Sequence, residues 1–261
     1  MTHGTGASQE AADWKNQGFE EHRRLDEYSS VRRREMSGIY AEEIDLAEQY
    51  EKYLCRVVLI LGHMAPKDTC DGCIRDLIAD VYDSLVLAKM AILQAHGPLA
   101  FPLLRRGFEG VCMIHYFVLK PSKSARWESG QEITNSQVRA FLGQHAMGES
   151  GDALKANYAF LSGGSHVNRD YVPHRFLGEG NAFILGSIGH PDIFASTDWL
   201  MRLLSLWFWV GATVTLRYGG ELGRADPSLL GDYLELGNRV KPTLRSMEET
   251  LTKLQSEMTK P

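Results

Sequence analysis

The sequence is poor in the features that would place a chain in several broad classes. Four cysteines at irregular positions (55, 70, 73 and 112) in 261 residues cannot make a disulfide framework. Nine prolines and no Gly-X-Y period exclude a collagen-like chain, and 44% apolar residues exclude a disordered one. Neither sign of charge dominates: 28 Lys+Arg against 33 Asp+Glu leave a net charge of −5, which argues against nucleic-acid binding by the molecule as a whole. Long apolar runs are also missing. Leu203 to Leu216 gives 14 residues between Arg202 and Arg217, about 21 Å of helix against the ~30 Å of a bilayer core, so a buried helix is predicted and no membrane span. Met1 to Gln9 is polar and lacks an apolar h-region, which with the few cysteines predicts a cytoplasmic protein.

Familiar site motifs are absent too. There is no Walker A loop, no GxGxxG after a strand, no HExxH, no GxSxG elbow and no pair of ExxH motifs. No cofactor and no metal is predicted. Cys70-Asp-Gly-Cys73 with His63 upstream supplies three of the four ligands a structural zinc needs. A capped helix start with partly buried thiols is the simpler reading.

What is present is helical periodicity. Residues 1–35, with 13 charged side chains of both signs and no sustained stripe, are predicted to form a peripheral or mobile arm, and Arg32-Arg33-Arg34 a solvated helix start. Residues 36–261 are predicted to be one all-α domain, a single bundle of six to eight helices. Tyr40, Ala47, Tyr50, Leu54, Val57 and Leu61 make one stripe, and Ile74, Leu77, Val81, Leu85, Ala88 and Ile92 a second. Leu99–Lys120 is apolar almost all round, the mark of a central helix, and Gly107 and Gly110 suggest a close crossing there. Short helices are predicted over 122–129, 136–145 and 152–161, the last stopped by Gly163-Gly164. A small β-hairpin or ordered loop follows over 175–188, then long helices over 192–218 and 228–257. In the final helix Leu229, Tyr233, Leu236, Val240, Leu244, Met247, Leu251, Leu254 and Met258 step by four and three, a seam that closes the bundle or joins a second copy as a homodimer through 228–258.

The candidate site starts from charges set in that central apolar helix. Arg105 and Glu109, four apart, share a face with Cys112 and Tyr116, while Arg106 and Glu109 are the i, i+3 alternative. Such ions must be paired, either as a structural bridge or as the lining of a polar pocket. Downstream, Ser162-Gly-Gly-Ser165-His166-Val-Asn168-Arg169-Asp170 gathers polar groups after a helix end, as caps and turns or as a site, with His166 suited to proton transfer near neutrality.

Leu103-Leu104-Arg105-Arg106-Gly-Phe-Glu109, followed by Tyr158-x-x-Leu161-Ser162-x-x-x-His166, resembles a widespread bacterial all-helical family with Arg-x-x-x-Glu and Leu-Ser-x-x-x-His signatures and no characterised function. The resemblance spans roughly residues 40–220 and implies that Arg105, Glu109 and His166 share one site. Arg169-Asp170-Tyr-Val-Pro-His174 resembles the Arg-polar-x-x-x-His pattern of HEPN ribonucleases, with Pro173 standing where that family is helical. That resemblance implies metal-independent cleavage of RNA or another phosphodiester, of toxin or phage-defence type. Arg169 or Arg105 would hold phosphate charge, and His166 or His174 would carry the proton, with Ser162 nearby. The alternative is a non-catalytic interaction or ligand-sensing module.

Overall fold

A computed structural model describes residues 20, 24–165 and 193–258. Among them are nine α-helices, one 3-10 turn and no strand: α1 (Leu25–Ile39), α2 (Ala41–His63), α3 (Thr69–Leu93), α4 (Gly97–Leu119), the 3-10 turn Pro121–Lys123, α5 (Ser124–Glu128), α6 (Asn135–Leu142), α7 (Gly151–Ser165), α8 (Ile193–Ala225) and α9 (Ser228–Met258). The fold is all-α. The predicted hairpin at 175–188 lies outside the described residues.

The apolar stripes become the core. Ile74, Val81, Leu85, Ala88 and Ile92 of α3 are fully buried, as are Ala47, Tyr50 and Val57 of α2. Their main partners are α4 and α8, and α4 also carries α6 and α7 on its other side, so it is central as its all-round apolarity predicted. The α3–α4 pair packs most extensively, and the two glycines explain how. A Cβ on Gly107 would lie 2.6 Å from Leu85 Cδ2, and one on Gly110 would strike the Val81 side chain. The knobs of α3 therefore enter notches in α4, and what crosses closely there is a side chain rather than a backbone.

Three predicted boundaries move. The break after residue 35 falls inside α1, because Met36 is fully buried and Arg32, nearly buried, pairs with Glu35. Gly163-Gly164 does not end α7, which runs on to Ser165. A Cβ on Gly164 would enter the ring of Phe101, so this glycine serves a helix contact rather than a stop. Likewise α8 continues through Gly219-Gly220 to Ala225, carried by Leu222, which is buried, and by the ion pair of Glu221 with Lys67. The cost of a glycine in a helix, about 1 kcal/mol, is smaller than the roughly 1.5–3 kcal/mol gained by burying a leucine.

At 33 residues, α8 is long and apolar enough by length and composition to cross a membrane, but half of its most apolar window is buried inside the bundle. Helix α9 continues through Pro242 and lays Leu229, Leu236, Val240 and Met247 against α8 and α2, burying all four. The heptad seam thus closes the bundle over about five turns. Leu251 and Leu254, farther along, are only partly covered.

Candidate functional site

The i, i+4 spacing of Arg105 and Glu109 pairs them on α4: Arg105 Nε donates to Glu109 Oε1 at 3.0 Å. Arg106, the alternative partner, instead lies outside and bridges to Asp80 of α3. The Arg105–Glu109 face looks at α7, which runs antiparallel to α4, since Phe101 meets Phe160 and Gly164 while Arg105 meets Tyr158. Arg105 Nη2 donates to the Tyr158 hydroxyl at 3.1 Å. The pair is not immersed in oil, however: the two side chains keep 23% and 25% of their exposure. Arg139 of α6 stacks its guanidinium 3.6 Å from the centroid of the Tyr158 ring. One tyrosine therefore joins α4, α6 and α7 through two arginines.

The rest of the predicted face turns inward under α6. Cys112 and Tyr116 are buried, Tyr116 edge-on to Phe141 at 5.2 Å. Burial pushes the Cys112 thiol well above its ordinary range, against the pull of nearby Arg139, so it is no nucleophile near neutrality. Ser162 sits one turn beyond Tyr158 on α7 and is half-buried. His166, Arg169 and His174 lie outside the described residues.

A second clamp ties α7 to α8. Arg202 of α8 donates through Nε and Nη2 to both carboxylate oxygens of Asp198, each at 2.9 Å, and through Nη1 to Asn157 Oδ1. Its guanidinium lies 3.9 Å from the centroid of the Phe160 ring. The sequence signal was an Asp-x-x-x-Arg spacing in an apolar helix, the same signal that marked Arg105 and Glu109.

The Cys70-x-x-Cys73 segment forms the capped start of α3. Asp68 Oδ1 accepts from the Asp71 amide at 2.7 Å, and Asp71 Oδ2 accepts from the Lys67 amide at 2.9 Å. Both thiols are buried, with Cys70 Sγ donating to the Phe117 carbonyl at 3.8 Å, and burial raises both above the usual thiol range. Among the described residues no three His, Cys, Asp or Glu side chains gather as metal ligands. The motif's stronger chemistry is ionic. Asp71 is fully buried and salt-bridged to Arg75 at 2.6 Å, with Arg217 at 4.0 Å, while Arg75 also donates to the carbonyls of Leu61 and Met64 at the end of α2.

On the face of α4 toward α8, buried His115 accepts through Nδ1 from the Trp209 indole N–H at 3.1 Å. Burial, with a smaller push from His145, lowers its readiness to take a proton, and burial alone does the same for His96. A histidine whose folded pKa is depressed binds more proton when unfolded, so stability is full above its ordinary value and falls as pH drops through it. The midpoint of urea unfolding is expected to fall as the pH is lowered below about 6.5. His115→Gln, which keeps an acceptor for Trp209, is expected to flatten that fall; an identical pH profile in the variant would rule His115 out as a source.

No protein-family model matches this sequence, and no characterised protein or solved structure matches it.

Proposed function

We propose that this chain is a non-catalytic helical module for interaction or ligand sensing, in which Arg105 and Glu109 are structural. One observation carries the reading: the donors of Arg105 are turned to Glu109 and Tyr158, tying α4 to α7, rather than held open toward a phosphate. A phosphate clamp for cleavage presents its N–H groups to the reacting oxygens. Arg202 is committed in the same way to Asp198 and Asn157. Arg105 and Glu109, two of the residues on which the family resemblance rests, serve the packing of one helix on another, which supports this reading. The four free thiols fit a reducing, cytoplasmic setting.

The test pairs activity with stability. The purified chain, incubated with mixed RNA in EDTA, is expected to leave the RNA intact. Arg105→Lys, which cannot serve Glu109 and Tyr158 from one planar fork, is expected to lose about 1–3 kcal/mol of unfolding free energy. RNA cleavage that disappears in His166→Ala or His174→Ala would overturn the proposal in favour of the HEPN-like ribonuclease. An Arg105→Lys protein as stable as the parent would overturn the structural role.

A further inference from the structure

A cleft of about 240 Å³ opens between the end of α4, the 3-10 turn with α5, and α6. Three cations line it: Lys120, Lys123 and Arg126. Their spacing of three follows from the local backbone. Lys120 caps α4, the 3-10 turn Pro121–Lys123 repeats every three residues so that i and i+3 eclipse, and α5 carries Arg126 onward on the same side. Facing them are Tyr116, Ile133 and Phe141 with the neutral Gln137, and Glu132 is the only carboxylate of the lining.

Five covered cations of the bundle are neutralised, unlike these three. Arg32, Arg75, Lys89, Arg105 and Arg202, all largely covered, each face a carboxylate. Among the described residues no carboxylate pairs with Lys120, Lys123 or Arg126. Lys120 Nζ rests 5.0 Å from the centroid of the Phe141 ring, and Arg126 Nε donates to the neutral Gln131 Oε1 at 2.9 Å. In a chain of net charge −5, the lining of this cleft carries three positive side chains and one negative one, so its local charge favours an anion. An anion with several acceptor oxygens suits such a lining, because charge-assisted hydrogen bonds from Lys and Arg are the strong ones.

We propose that this cleft binds a small phosphate monoester, with Lys120, Lys123 and Arg126 on the phosphate and Tyr116, Ile133 and Phe141 against its carrier. A phosphate monoester carries roughly −1.5 to −2 charge near neutrality and three acceptor oxygens, which suits three cations better than a single carboxylate does. The volume lies below the roughly 300–1,000 Å³ of sites for drug-sized ligands, so the carrier is small. The assignment goes beyond the non-catalytic reading and does not depend on the role of Arg105. RNA cleavage decides that reading, and phosphate binding decides this one.

Calorimetric titration of the full chain with phenyl phosphate at low ionic strength is expected to show saturable binding, with inorganic phosphate weaker and phenol inert. Lys123→Glu, at a half-buried position, and Arg126→Glu, at an exposed one, are each expected to weaken phenyl phosphate binding by about tenfold or more. Circular dichroism of both variants is expected to match the parent. Four outcomes would sink the assignment: no saturable heat with the parent, unchanged affinity in both variants, equal binding of phenol, or inorganic phosphate binding as tightly as phenyl phosphate. A single-stranded oligoribonucleotide that binds more tightly than phenyl phosphate would also overturn it, replacing a small ligand with a polymer.

Discussion

Asp71→Asn is expected to remove about 3–5 kcal/mol from the unfolding free energy, the usual penalty for stripping one partner from a buried ion pair. The carboxylate has no solvent exposure and faces Arg75 at 2.6 Å. Asparagine keeps the shape and an acceptor for the Lys67 amide, so the lost quantity is charge. Arg75 would then stay in place, held by the Leu61 and Met64 carbonyls, with no counter-ion and with Arg217 close by. Burial by itself would push the Asp71 carboxyl up. The Lys67 amide, the Tyr218 hydroxyl and the Arg75 guanidinium together outweigh it and hold the group below its ordinary 3.8. The sign follows from linkage: this stabilisation is complete above 3.8 and is lost as pH falls through the lower folded value. A shift of the urea midpoint at constant slope, present near neutrality and shrinking in acid, is the expected result. A loss under about 1 kcal/mol at neutrality would mean the pair is hydrated and exchangeable with a surface bridge.

Trp207→Ala is expected to cost a similar amount, about 3–5 kcal/mol, by opening a cavity in the middle of α8. Trp207 is fully buried and sits edge-on to Tyr82 of α3 with ring centroids 6.1 Å apart. Its indole N–H finds no hydrogen-bond partner among the described residues. That makes the phenylalanine variant informative. Trp207→Phe loses ring volume but also removes an unsatisfied buried donor, so its expected loss is under about 1.5 kcal/mol. If the phenylalanine and alanine variants unfolded at the same denaturant concentration, cavity volume would not be what Trp207 contributes.

The ion pair of α4 was readable because both partners lie within one helical turn. Arg105 and Glu109 are four apart, and a charge of each sign in an apolar helix leaves little choice but the other. The same spacing rule holds for Asp71–Arg75 and Asp198–Arg202, each an i, i+4 pair within one helix. Tyr158 is a different matter. Its meeting with Arg105 and Arg139 crosses 53 residues of chain in one case and 19 in the other, and no local spacing encodes either. The basic cleft was half legible. Lys120, Lys123 and Arg126 stand at a constant interval, yet only the fold of α6 back onto α4 gives them an apolar wall to face. Glycine does not always stop a helix: Gly164 makes room for Phe101, and Gly219-Gly220 are carried within α8.

Periodicity alone determined that the chain is helical, where most helices begin, which face of each is apolar, and that α4 would be surrounded. Those properties are local, set by 3.6 residues per turn and by the side chains that cannot stay in water. The tertiary structure decided which stripe meets which, that α9 closes the bundle with its own seam, and that arginines of both α4 and α8 hold α7. Apolar burial has no direction, so one greasy stripe matches another equally well. Only the shapes of the notches, such as Gly110 under Val81 and Gly164 under Phe101, and the reach of each guanidinium to a distant acceptor select a single arrangement.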